Sequence, residues 1–162
     1  MGKYNIVAVC KGNACRSPLV EYALKKMLEE HPELDIEVWS CGTLDWGTNP
    51  RDPLMCEAAE ALGITMKGET RHIHRDDIAK ADCIVTFTKY LRDELTSIVP
   101  FGHWNRIILF DELAFGEKTD VEDPRDMSKA VYERVANHIV EGCRNIVNKW
   151  AENPPVPIDQ QN

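Results

Sequence analysis

Residues Cys10 to Pro18 read CKGNACRSP, a cysteine followed five residues later by Cys15 and six residues later by Arg16, between the apolar run Ile6–Val9 and an amphipathic stretch. A strand–loop–helix connection of this kind builds an anion site. The backbone N–H groups of a glycine-containing turn and the free N–H groups at a helix N-terminus converge on one point. Lys11, Gly12, Asn13, Ala14, Cys15, Arg16 and Ser17 form the expected phosphate-binding loop. Arg16 adds a planar fork able to hold two oxygens at once, and the same positive field would hold Cys10 as thiolate, the reactive form. Gly12 and Asn13 tolerate unusual backbone angles, Ser17 can cap a helix and Pro18 suits a first helical turn. The plainer reading is a structural cysteine buried in a tight turn.

A thiolate that attacks phosphorus needs an acid to protonate the departing oxygen. Thr119 to Arg125, TDVEDPR, supplies three carboxylates, Asp120, Glu122 and Asp123. Pro124 biases Asp123 towards an extended conformation. Any of the three could supply the proton; the alternative is an acidic turn capping the last helix.

These residues need a frame. Asn5–Val9, Ile36–Cys41, Cys83–Phe87 and Ile107–Phe110 are short, β-branched runs of the kind found in strands buried on both faces. Helical patterns separate them: Leu19, Tyr22, Ala23, Lys26 and Met27 share one face, Pro53–Leu62 is stopped by Gly63, Tyr90–Val99 is ended by Pro100, and Ser128–Trp150 is the longest. Alternating strand and helix implies an α/β fold, a three-layer sandwich built on a parallel sheet with right-handed crossovers. Ligands in such sheets bind beyond the carboxyl ends of the strands, where both the cysteine loop and the acidic loop would lie. Residues 1–151 read as a single domain, and 152–162, ENPPVPIDQQN, as a Pro-rich, extended, poorly ordered tail.

The chain of 162 residues carries a net charge of −8 with no basic block, which argues against nucleic acid as a partner. No apolar run is long enough for membrane insertion, and MGKYNIVAVC reads as a first strand rather than a signal, so a cytoplasmic location is expected. The six cysteines read as reduced thiols. No metal and no cofactor is expected; His72 and His74 lack a third ligand and read as loop histidines.

Four motifs in order, CKGNACRSP, SCGT at Ser40–Thr43, DWGTNPRDP at Asp45–Pro53 and VEDP at Val121–Pro124, resemble the low-molecular-weight protein tyrosine phosphatase family in its bacterial form. The resemblance implies a four-stranded parallel sheet of order 2-1-3-4 and metal-independent, two-step hydrolysis of phosphomonoesters on a phosphorylated protein substrate. It implies Cys10 as nucleophile, with a phosphocysteine intermediate, and Arg16 as the phosphoryl clamp. Ser17 would support the thiolate and Asp123 would act as acid and then base. Asn13 and Ser40 would support the loop, and Cys15 would be a redox partner that forms a disulfide with Cys10.

Two positions depart from that pattern. Arg125 stands where these phosphatases usually carry an aromatic wall residue; it can pair with acidic groups flanking the phosphoryl group or point to solvent. Trp46 can supply the remaining wall or simply pack. Ala14 is neither the large aliphatic residue that goes with phosphotyrosine nor the threonine associated with protein arginine phosphatases. The leading expectation is a protein-tyrosine phosphatase and the first alternative a protein arginine phosphatase. An arsenate reductase, lacking the two relay cysteines, and a non-catalytic phosphate-binding protein are further alternatives.

Overall fold

The computed structural model describes residues 2–161. Strands β1 (Tyr4–Cys10), β2 (Ile36–Gly42), β3 (Cys83–Thr86) and β4 (Ile107–Leu109) form one all-parallel sheet in the order β2-β1-β3-β4. Helices α1 (Arg16–Leu28), α2 (Pro53–Glu60), α3 (Arg75–Lys80), α4 (Lys89–Thr96), α5 (Phe110–Phe115) and α6 (Lys129–Glu152) complete it. The expected fold class and strand order are those observed.

Successive residues of β1 serve opposite faces of the sheet, as a pleated strand requires. Ile6, Ala8 and Cys10 enter the larger core with Leu19, Ala23, Ile139 and Ile146, from α1 and α6. Val7 and Val9 enter the smaller core with Ile78, Leu95 and Val99. β1 is therefore covered on both sides. Its end at Cys10, paired in register with Gly42, is held where two packed layers meet.

Several elements differ from expectation for identifiable reasons. Phe110 starts α5 instead of finishing β4, because its ring is wholly buried against Phe87 and faces α6. Helices α3 and α5 have six residues each, too short for a helical period to show in sequence. The last helix runs two residues past Trp150, to Glu152. Residues 153–161, expected as a poorly ordered tail, return to the sheet: the Ile158 N–H donates to Asp82 Oδ1 at 2.8 Å, while Asp82 Oδ2 accepts from the Asn5 N–H at 2.7 Å. The tail thus closes over the amino end of the sheet, opposite the cysteine loop.

Helix α6 meets α5 at Gly142, where an added Cβ would lie 2.5 Å from Phe110 Cζ and 3.0 Å from Ala114 Cβ. Gly142→Ala is expected to cost about 1–3 kcal/mol through overpacking. Urea unfolding will show a midpoint lowered by about 1 M; an unchanged midpoint contradicts this packing.

Candidate active site

Helix α1 begins immediately after the loop, and its N-cap is Cys15, with no side-chain capping bond. Ser17, read from sequence as a cap, is the second helical residue, and its hydroxyl serves the loop. Ser17 Oγ lies 3.0 Å from Cys10 Sγ and accepts from Asn13 Nδ2 at 2.9 Å. The hydroxyl hydrogen can serve the sulfur at 3.0 Å or the Cys41 carbonyl at 3.4 Å, the sulfur being the nearer. Among the described residues, the N–H groups of Lys11, Gly12, Asn13, Ala14 and Cys15 donate to no protein acceptor. A helix start left uncapped above a row of unspent donors is what an anion requires.

Asn13 shapes this loop. It is fully buried with φ 56°, in the left-handed region that asparagine tolerates better than most residues. Its Nδ2 also donates to Ser40 Oγ at 3.0 Å, and its Oδ1 accepts from Arg51 Nη1 at 2.9 Å and the Arg71 N–H at 3.1 Å. Arg51 Nη1 further donates to the Asn13 carbonyl at 2.6 Å. The Ser40 hydroxyl donates to Glu21 Oε1 at 2.6 Å, and Glu21 Oε2 accepts from Lys25. The loop also leans on Gly42, where a Cβ would stand 2.6 Å from the Lys11 carbonyl oxygen. Thr43 and Leu44 N–H groups then bond the Cys10 and Lys11 carbonyls at 3.0 and 2.9 Å.

Cys10, Lys11, Gly12, Ala14, Cys15, Arg16, Asp123 and Arg125 line one small recess of about 30 Å³, which Asp123 and Arg125 reach from the acidic loop. Arg16 is buried and does two things. Its Nη1 donates to the Val121 carbonyl at 2.9 Å, and its Nη2 stands 3.6 Å from Asp123 Oδ2. The Val121 N–H in turn bonds the Phe87 carbonyl at 2.7 Å, and the Phe87 ring lies under the Arg16 guanidinium at 5.6 Å. Of the three carboxylates on this loop only Asp123 lines the recess. Asp120 Oδ1 accepts from the Lys89 N–H at 2.9 Å, and Glu122 pairs with Arg134.

On the other side Trp46 Nε1 donates to the Gly12 carbonyl at 3.1 Å, fixing a half-buried ring beside the loop. Arg125 does not fill an aromatic wall; it is exposed, and its guanidinium lies over the Trp46 ring at 4.9 Å. Lys11 is drawn away to Glu94 Oε2 at 3.1 Å, with Thr43 Oγ1 on the other oxygen at 2.8 Å. Ala14 lines the recess with a methyl alone. His74 N-caps α3 through Nδ1, and among the described residues no group of three His, Cys, Asp or Glu side chains is arranged to hold a metal.

Cys15 donates its thiol to Asp52 Oδ2 at 3.4 Å, an oxygen it shares with the Tyr132 hydroxyl at 2.7 Å. Asp52 also caps α2 through Oδ1. Burial, and then the Asp52 carboxylate, push the Cys15 thiol well above its usual range. Sequence reasoning missed Arg51, Arg71, Glu21 and Asp52, although Arg51 and Asp52 lie inside DWGTNPRDP and could have been weighed there.

A parallel α/β sheet with a cysteine-centred anion loop at its carboxyl edge and a carboxylate across the recess defines a class of protein built for phosphoryl chemistry. The chain belongs to one family of that class: the model for low molecular weight phosphotyrosine protein phosphatase matches residues 5–155. It is 26% identical over 146 residues to the protein-arginine-phosphatase of Bacillus subtilis (strain 168), covering 90% of this chain and 95% of that one. It is 30% identical over 138 residues to arsenate reductase 1 of Staphylococcus saprophyticus, covering 83% and 97%. The crystal structure of a low molecular weight phosphotyrosine phosphatase from Vibrio cholerae O395 superposes with a TM-score of 0.86 at 29% identity, covering 94% of this chain and 99% of that one.

The negative charge of Asp52 disfavours the Cys15 thiolate, so removing it lowers the Cys15 pKa and raises the thiolate fraction at any pH below that value. At about pH 8.5, where an ordinary cysteine is half ionised, Cys15 in the wild type is expected to resist iodoacetamide. Asp52→Asn is expected to accelerate its labelling several-fold. Site-resolved mass spectrometry reads both rates, and equal labelling in the two proteins contradicts this assignment.

Proposed function

We propose that the protein is a metal-independent protein-tyrosine phosphatase working through a phosphocysteine at Cys10. The observation that carries this reading is the convergence on one recess of Cys10 with its Ser17 hydroxyl at 3.0 Å, the Arg16 fork and Asp123. A module that only bound phosphate would need the loop but neither nucleophile nor acid.

The phosphoryl group sits on the loop N–H groups and the Arg16 fork, with phosphorus above Cys10 Sγ. Sulfur attacks; the S–P bond forms as the P–O bond to the tyrosyl oxygen breaks, and Asp123 gives that oxygen its proton. The donors fixed around the loop match the charge that grows on the equatorial oxygens, at little reorganisation cost. In the second step Asp123 takes a proton from water, water attacks phosphorus, and the S–P bond breaks. Ser17 then stabilises the departing sulfur through the hydroxyl whose oxygen Asn13 holds.

Phosphoarginine would bring its own guanidinium to a mouth where Arg125 already places positive charge. An arsenate reductase relay needs partner thiols that can reach Cys10. Cys83 lies within β3, pushed up to about 12 by burial, and Cys143 is buried in α6. Cysteines that are all free, five of them buried, suit a reducing compartment, and we assign the substrate phosphoproteins to the cytoplasm.

Para-nitrophenyl phosphate is expected to be hydrolysed equally with and without a chelator, and not by Cys10→Ser; turnover by that variant contradicts the covalent route. Asp123→Asn is expected to lower kcat/KM on phosphotyrosine by about 10²–10⁴-fold and to lower it less for leaving groups that need no proton. Equal losses would move the acid elsewhere. Paired phosphotyrosine and phosphoarginine peptides decide the substrate: preferred hydrolysis of phosphoarginine overturns the tyrosine assignment.

A further inference from the structure

The cations around the recess are not equivalent. Arg16 is committed to the Val121 carbonyl and Asp123, and Lys11 to Glu94. Arg125 lines the same recess and is exposed, yet among the described residues its guanidinium meets no carboxylate and no carbonyl. It is nonetheless held in place. The Trp46 ring beneath it is fixed by its own bond to Gly12, and Arg125 Nη1 hangs over the phosphate loop, 3.7 Å from where a Cβ on Gly12 would be. The turn Asp123–Pro124–Arg125, closed by the Arg125 N–H on Asp123 Oδ1 at 3.1 Å, sets the entry of that side chain.

We infer that Arg125 is a specificity-determining residue that binds a carboxylate side chain next to the phosphorylated residue, so that acidic phosphopeptides are the preferred substrates. A planar fork with unspent donors, held over an aromatic ring, can meet a carboxylate in bidentate geometry. Stacking restrains the side chain before substrate arrives and reduces the ordering cost of binding. The phosphoryl oxygens are already served by the loop N–H groups and Arg16, so the fork of Arg125 is left for a neighbouring anion. The chain as a whole, at net charge −8, would repel an acidic peptide, which makes a free cation at the mouth decisive. This inference rests on the phosphatase reading of the recess.

The test compares two phosphotyrosine peptides differing only in aspartate or alanine on either side of the phosphotyrosine. Wild-type kcat/KM is expected to favour the acidic peptide by about five- to tenfold at low salt, and the preference to shrink near 1 M salt, where screening is within about 3 Å. The ratio is expected to fall towards one in Arg125→Met and to be partly kept in Arg125→Lys. Binding of both peptides to Cys10→Ser, measured by calorimetry, gives the same comparison without turnover, so failure of the phosphatase reading is seen separately as absent hydrolysis. A wild-type ratio near one overturns the inference. An equal loss on both peptides in Arg125→Met also overturns it, because Arg125 would then be touching the phosphoryl group itself.

Discussion

A buried asparagine in a left-handed conformation holds this site together. Asn13 is wholly enclosed, at φ 56°, and its carboxamide meets Ser17, Ser40, Arg51 and the Arg71 backbone. Each contact comes from a different part of the chain: the start of α1, strand β2, and the two segments on either side of α2. A buried amide with an unmatched donor or acceptor costs about 1–3 kcal/mol, so the four contacts fix one loop shape and penalise others. That shape leaves the loop N–H groups with no protein acceptor among the described residues. Asn13 also donates to Ser17 Oγ, which holds that oxygen 3.0 Å from Cys10 Sγ.

The same economy governs the acidic loop. Arg16 reaches the Val121 carbonyl from beneath, while Phe87, just beyond β3, takes the Val121 N–H and lies under the guanidinium. Asp120 and Glu122 are spent on Lys89 and Arg134, which leaves Asp123 facing the recess. Arg16 thus couples the two loops through its position in both hydrogen-bond sets. Asp52 makes a parallel link, joining Cys15, Tyr132 and the start of α2 through one carboxylate.

Much of this was legible in the chain, for physical reasons. Buried parallel strands show as continuous apolar runs, and the loop carries its chemistry within nine consecutive residues, so the sheet, Cys10, Arg16 and the acidic turn could be read directly. Ser17 carried two readings: a serine before a proline looks like a cap, a place Cys15 takes instead, while the support of Cys10 that the resemblance implied matches a hydroxyl 3.0 Å from the sulfur. Arg51, Arg71 and Glu21 escaped because an arginine or glutamate that bonds to a residue tens of positions away looks no different from a surface charge. The tail escaped for the opposite reason. Its prolines suggest disorder, and the carboxylate that captures it, Asp82, lies 76 positions back in the chain, just before β3. Arg125 on Trp46 is likewise a contact between loops that no local pattern encodes.

The account stands on the claim that the Asn13 carboxamide, and not merely its backbone angle, prepares the loop. Asn13→Gly separates the two, since glycine adopts positive φ without strain and removes only the side chain. With folding verified by circular dichroism, kcat/KM on a phosphotyrosine peptide is expected to fall by about 10²-fold or more, the scale of losing catalytic preorganisation. A variant that folds and keeps activity within about twofold of wild type, the scale of losing no net hydrogen bond, would contradict the claim.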